Sequence, residues 1–380
     1  MIVSIASCQT YEYKALESAI HNSFKAIGGI EKYINRGDTV LLKANLLMKK
    51  KPEEVTTTHP MMIRVLGDVL VSYGAKVIVG DSPGGPFNEK VLKQLYAYCG
   101  YDEALENSSI KLNYNVKEKE SYLESAKIVK KVNILDVISE VDHVISVAKF
   151  KTHQMTKFTG AVKNLFGIIP GVQKVEYHFR MPKINDFADA LVDICLHAKP
   201  TLAFMDAVVG MEGDGPSAGE PRNIGCILAS ESPFHLDVVA STIAGIKPLE
   251  VPTTERAALR GLCAGDLSDI SLVGEPLDSF ILGNFKSPVI KQVKMIDRFP
   301  QFLEKPLNYY FKPRPVFDKA TCIGCGECER ACPPKAIEMQ NEKPALRLDE
   351  CIRCFCCQEL CPAKAVKIHR SWLLKKVLKL

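Results

Sequence analysis

The sequence predicts an α/β fold: a mainly parallel sheet with helices on both faces, followed by a small C-terminal α+β domain rich in cysteine. Three observations carry this reading. From residue 1 to about 290, short apolar runs alternate with amphipathic stretches of helical period, as strand–helix units of an open parallel sheet do. Runs such as Val77-Ile78-Val79, Val144-Ile145-Ser146-Val147 and Leu202-Ala203-Phe204-Met205 suit strands covered on both faces. Nine of the fourteen cysteines crowd between residues 322 and 361, in two runs of matching spacing.

Taken in order, Ile2–Ala6 reads as a buried strand and Tyr13–Ile34 as a helix with a Gly28-Gly29 break near its end. Thr39–Lys43 is a strand, and Pro60–Tyr73 a helix whose first turn tolerates proline, with His59 before it. Lys76–Val79 is a strand, Asn88–Cys99 a helix, His143–Ala148 a strand, Ile184–Ala198 a helix and Leu202–Met205 a strand. Ile224–Ala229 is a strand and Phe234–Ala244 a helix. The expected domains are 1–290 for the sheet, 291–315 for a linker carrying Pro300, Pro306, Pro313 and Pro315, and 316–369 for the cysteine-rich unit. Residues 370–380 form a basic amphipathic tail, read as packing on the protein's own body or as a peripheral contact with a membrane or partner.

Bulk properties exclude several classes. A net charge of +5 on 380 residues, without basic runs interleaved with aromatics, argues against nucleic acid. No apolar stretch approaches the length of a transmembrane helix. The N-terminus lacks the features of an export signal, so a reducing cytoplasm is the expected location.

The cysteine runs are Cys322-x2-Cys325-x2-Cys328-x3-Cys332-Pro333 and Cys351-x2-Cys354-x2-Cys357-x3-Cys361-Pro362. A [4Fe–4S] cube takes three thiolates from a tight loop and the fourth from a distant cysteine followed by proline. When the run occurs twice, the fourth cysteines are exchanged. The expected ligands are Cys322, Cys325, Cys328 and Cys361 for one cluster, and Cys351, Cys354, Cys357 and Cys332 for the other. Zinc sites favour paired C-x2-C units, and disulfides need an oxidising compartment. Cys356 is left over and reads as a small buried apolar residue. The segment resembles bacterial two-cluster ferredoxins.

Polar clusters follow the predicted strands: Lys43-Ala44-Asn45-Leu46, Gly80-Asp81-Ser82-Pro83-Gly84-Gly85, Lys149-Phe150-Lys151-Thr152-His153, and Asp206 with Glu212-Gly213-Asp214-Gly215-Pro216. Carboxyl ends of parallel strands share one edge, where ligands bind, so these clusters are expected to converge. Candidate catalytic residues are Lys151, His153, Lys163 and Asp206. Candidate ligand-binding residues are Asn45, Asp81, Ser82, Gly84, Asn164, Glu212 and Asp214. The lysines suit an anion. The glycines of 80–85 suggest exposed backbone N–H groups, though the loop is neither G-x-G-x-x-G nor a P-loop. The acidic residues read as a general base or a divalent-ion site, outside the calcium-loop pattern.

The phrases Leu42-Lys43-Ala44-Asn45-Leu46-Leu47, Thr57-Thr58-His59-Pro60, Gly80-Asp81-Ser82-Pro83-Gly84, Lys149-Phe150-Lys151-Thr152-His153, Thr159-Gly160-Ala161-Val162-Lys163-Asn164-Leu165-Phe166-Gly167 and Met211-Glu212-Gly213-Asp214-Gly215-Pro216 resemble the domain-of-unknown-function family 362 over about residues 1–290. Ala44 departs from the family's Lys-Pro-Asn. The resemblance implies a cytoplasmic iron–sulfur protein of prokaryotic type and supplies no reaction. Three functions are carried forward: electron transfer with a redox partner protein or anionic ligand at the large domain, a reductase acting on a small anionic substrate, and a binding or assembly protein with structural clusters.

Overall fold

The computed structural model of the chain describes residues 1–288 and 313–370. Most of the expected linker and all but the first residue of the expected tail lie outside the described residues. The strands of the large domain are β1 (Ile2–Ser7), β2 (Thr39–Lys43), β3 (Lys76–Gly80), β4 (Lys111–Leu112), β5 (Glu118–Tyr122), β6 (Lys131–Leu135), β7 (His143–His153), β8 (Lys157–Thr159), β9 (Leu202–Glu212), β10 (Glu220–Ser230) and β11 (Ser271–Gly274). Nine of them form one sheet in the order β11-β1-β10-β9-β7-β2-β3-β4, with β8 added to the end of β7. β9, β7, β2, β3 and β4 run parallel, and β10 is antiparallel to both of its neighbours. β5 and β6 pair with each other outside this sheet.

The period of two along each strand divides the core. Leu202 and Phe204 of β9 enter one cluster, with Phe24, Leu66 and Leu95 from the helices Tyr13–Ala26, Pro60–Tyr73 and Glu89–Tyr98. Ala203 and Met205 enter another, with Leu236 and Val239 from the helix Pro233–Ile243. The helix Ile184–Ala198 packs a third cluster through Phe187, Leu191 and Ile194. Helices therefore cover both faces of a mainly parallel sheet.

The structure changes three boundaries read from sequence. The first helix stops at Ala26, because Gly28 and Gly29 take φ of 109° and 94°, which no right-handed helix continues. β7 runs to His153 and β9 to Glu212, well beyond their apolar runs. β8 pairs the polar end of β7, and β10 pairs that of β9, so both polar ends keep a ladder of hydrogen bonds.

The small domain is α+β. β12 (Arg314–Phe317) pairs antiparallel with β15 (Val366–His369), and β13 (Ile337–Gln340) with β14 (Lys343–Leu346). Short helices at Glu327–Arg330 and Cys356–Glu359 follow the two cysteine loops.

Candidate functional site

The carboxyl ends of β2, β3 and β7 meet at one pocket, a cavity of about 690 Å³ open to solvent. Its lining includes Asn45, Asp81, Ser82, Gly84, Lys151, His153, Lys163 and Asn164. These come from segments up to 119 residues apart in sequence (Asn45 and Asn164, whose side chains hydrogen-bond at 3.2 Å). The small domain closes the far side with Cys356, Glu359 and Leu360.

Beneath the pocket lies a buried ion pair. Lys43 Nζ is 2.6 Å from Asp81 Oδ1. The N–H of Leu46 donates to Asp81 Oδ2 at 2.6 Å, and Lys43 also donates to Asn164 Oδ1 at 3.2 Å. Gly167 lies directly over this pair: a Cβ there would stand 2.1 Å from Asp81 Oδ1 and 2.5 Å from Lys43 Nζ.

Three further lysines surround the cavity. Lys151 donates to Asn45 Oδ1 at 2.7 Å and Thr56 O at 2.6 Å, both neutral. Burial, only partly offset by Glu359, pushes its ammonium down to about 7. Lys174 donates to Ser82 O and Oγ and to Pro83 O, and burial likewise pushes it down to about 7. Lys163 makes no hydrogen bond or ion pair among the described residues; its ammonium lies 5.5 Å from the Phe166 ring centre. His153 Nδ1 accepts from the N–H groups of Met155 and Thr156, so Nε2 carries the proton. That Nε2 is buried without a hydrogen-bond partner, and burial lowers the imidazole to about 4. His178 stacks on Phe187 at 4.3 Å between ring centres, and burial lowers it to about 3.

Three expected residues stand elsewhere. Asp206 lies within β9, outside the pocket lining. Its carboxylate accepts from Lys149 Nζ at 2.8 Å, the Tyr11 hydroxyl at 2.8 Å and the His59 N–H at 2.9 Å. So saturated a carboxylate is a structural tie, not a free base. Glu212 accepts from the Lys286 N–H at 3.1 Å. Asp214 Oδ1 accepts from Gln154 at 3.1 Å, and its carbonyl from Gln358 Nε2 of the small domain at 2.8 Å. The acidic loop anchors the small domain. Two N–H groups of the expected backbone nest at 80–85 are already engaged: that of Ser82 goes to Gly167 O and that of Gly84 to Leu47 O. Lys174 and Glu359 line the pocket without having been singled out for it; His178, read from sequence as an acid, base or metal ligand or as a plain loop histidine, lines it too, from the helix Gln173–Arg180.

The cysteines form two shells. One cavity, of about 340 Å³, is lined by Cys322, Cys325, Cys328 and Cys361. The other, of about 270 Å³, is lined by Cys332, Cys351, Cys354 and Cys357. None of the eight is in a disulfide. The halves match in detail: Cys332 Sγ accepts the N–H of Ala336 at 3.2 Å, and Cys361 Sγ that of Ala365 at 3.2 Å. Four sulfurs around each of two voids, each with a backbone N–H aimed at its borrowed cysteine, fit two iron–sulfur cubes. Cys356, read as a spectator, is buried but placed between compartments: it neighbours Cys354 of one shell and lines the pocket on the other side.

Residues 40–242 match the family described as domain of unknown function (DUF362), and residues 314–362 match the 4Fe-4S dicluster domain. A thylakoid-associated protein of Synechocystis sp. is 29% identical over 261 residues, covering 68% of this chain and 79% of its own. The lactate racemase apoprotein from Thermoanaerobacterium thermosaccharolyticum aligns with a TM-score of 0.41 at 14% identity, over 65% of this chain and 57% of that one. A Thermotoga maritima protein aligns with a TM-score of 0.33 at 10% identity, over 57% and 55%. The chain thus spans little more than half of either solved structure. No helix among the described residues is long and apolar enough to cross a membrane.

Proposed function

Because the chain belongs to the DUF362 family and carries a 4Fe-4S dicluster domain, we propose that it holds two [4Fe–4S] clusters and transfers electrons to or from a small anionic ligand at the junction of its domains. Cys322, Cys325, Cys328 and Cys361 would hold one cluster, and Cys332, Cys351, Cys354 and Cys357 the other. Bound there, the clusters supply reversible one-electron chemistry.

The observation that carries the reading is the shared wall. Cys356 borders the cationic pocket and neighbours Cys354 of the second cysteine shell, so the two spaces lie on either side of one short stretch of chain. Lys151, Lys163 and Lys174 attract the anion, and the apolar residues and the docked small domain limit water. At the other shell, Cys325 is exposed and Ile323 is 67% exposed, which suits contact with a redox partner protein.

The test is anaerobic reconstitution with iron and sulfide, then reduction followed by electron paramagnetic resonance with and without an added anion. About eight irons per chain, and an anion-sensitive reduced spectrum that Lys163→Met renders insensitive, support the proposal. A chain that takes up only zinc, or a spectrum indifferent to every anion, overturns it.

A further inference from the structure

The chemistry of the ligand follows from which donors are free, an argument that rests on the reading of the pocket as a ligand site. Thr159 Oγ1 and His153 Nε2 are buried without a hydrogen-bond partner and both line the cavity, His153 Nε2 standing 3.6 Å from Glu359 Oε2, too far for a hydrogen bond. Lys163 is 8% exposed and likewise unbonded among the described residues. Thr159 stands opposite Lys151 in the β7–β8 ladder, and Lys163 follows four residues later. Buried donors left unbonded cost about 1–3 kcal/mol each, a cost that an acceptor ligand removes.

The backbone positions that phosphate prefers are already taken. The first N–H groups of the turn at Ala161–Asn164 are capped by the Asp237 carboxylate, at 2.6 Å for Ala161 and 3.1 Å for Val162. Ser82 and Gly84 spend their N–H groups on Gly167 and Leu47, and the Gly171 N–H goes to Ser82 Oγ at 2.7 Å. The fully buried donors left without a hydrogen bond at the pocket are therefore side chains, His153 Nε2 and Thr159 Oγ1. Beside its polar groups, among them the Glu359 and Asp81 carboxylates, the wall carries an apolar part made by Leu47, Phe166, Val175, Pro216 and Leu360. An inorganic anion would leave that surface facing water.

We infer that the pocket takes a small organic carboxylate with an apolar body. Its carboxylate sits on Lys163, His153 Nε2 and Thr159, and its body lies against Phe166, Leu47 and Leu360. Leu360 belongs to the small domain, so both domains hold the ligand. The anionic end compensates the Lys163 ammonium, which has no hydrogen-bond partner among the described residues, and the body fills space that no inorganic ion could cover.

Anaerobic calorimetry on the cluster-loaded chain with acetate, benzoate, inorganic phosphate and phenyl phosphate separates the possibilities. Benzoate is expected to bind at least about tenfold tighter than acetate, since its ring buries apolar surface, and tighter than either phosphate. Thr159→Val weakens both carboxylates, whereas Phe166→Ala weakens benzoate toward acetate, with iron content unchanged in both variants. Acetate binding as tightly as benzoate overturns the apolar body. Phenyl phosphate binding best overturns the carboxylate while leaving an anion pocket in place. No binding by any of the four overturns the anion-pocket reading itself.

Discussion

His153 Nε2, at the end of the large domain's β7, lies 3.6 Å from Glu359 Oε2 of the cysteine-rich domain. This pair joins the two halves inside the pocket. Burial opposes the charge on Glu359, but the His153 contact and the Lys163 ammonium hold its carboxyl well below the usual range. Around it, Ser217 Oγ donates to Glu359 O at 2.6 Å and Lys50 Nζ to Pro362 O at 3.1 Å. The docking is therefore polar and specific in register, and it brings a carboxylate of the chain itself against the donors expected to receive a ligand.

Glu359→Gln is expected to tighten anion binding. It keeps the shape and removes a negative charge that competes for Lys163 and His153. At a protein-like effective dielectric the gain is on the order of 1–3 kcal/mol, tenfold or more in affinity. Calorimetric titration with benzoate measures it; weaker binding in the variant would contradict the placement of Glu359 beside the ligand.

Anion affinity is expected to fall as pH rises through about 7. Lys151 and Lys174 are both held near there by burial. Glu359 and Asp81 favour their charged forms, while Lys163 disfavours both, joined by Lys149 at Lys151 and Lys43 at Lys174. A bound anion favours the ammonium, so binding takes up protons above this pH and affinity drops by about tenfold per pH unit for each proton taken up. Below pH 6 the affinity levels off. A binding constant flat from pH 6 to 9 would show that neither lysine senses the ligand.

Gly167→Ala is expected to destabilise the large domain by about 2–4 kcal/mol. The new methyl would enter the contact between Lys43 and Asp81, and both partners are too buried to give way cheaply. Denaturant unfolding reads the change; a variant as stable as the parent would mean that the ion pair can move aside.

Cys356→Ala removes a buried thiol that neighbours Cys354, where it is expected to donate to that sulfur once a cluster is bound. Hydrogen bonds to cluster sulfurs help set the potential, by favouring the more negative reduced state. A bond worth about 0.5–1.5 kcal/mol corresponds to a fall of roughly 20–60 mV for one electron. Redox titration should show that fall at one potential only. A shift of both, or a rise, would contradict it.

Much of this was legible in the sequence, for reasons that also explain the gaps. Parallel strands buried on both faces are apolar throughout, so Val77–Val79 and Leu202–Met205 announce themselves. Convergence of Asn45, Asp81, Ser82, Lys151, His153, Lys163 and Asn164 follows from topology, because parallel strands end at one edge. The polar ends of β7 and β9 look like loops, since strands are recognised by apolar residues and these carry Lys149, Lys151 and Asp206. That is why Asp206 reads as a loop base and proves to be a strand residue tied to Lys149. Lys174 sits on a short, strongly charged helix whose pattern suits a solvated face as well as a pocket wall. Glu359 depends on how two domains dock, which no local pattern records.

The most direct measurement is a pair of redox titrations of the cluster-loaded chain, without and with saturating benzoate, followed by electron paramagnetic resonance. An anion lodged beside Cys356 makes adding an electron to the nearby cluster harder, so one potential should fall by tens of millivolts while the other stays fixed. Two unmoved potentials, with calorimetry recording bound benzoate, would show that the ligand space and the second cysteine shell are not neighbours.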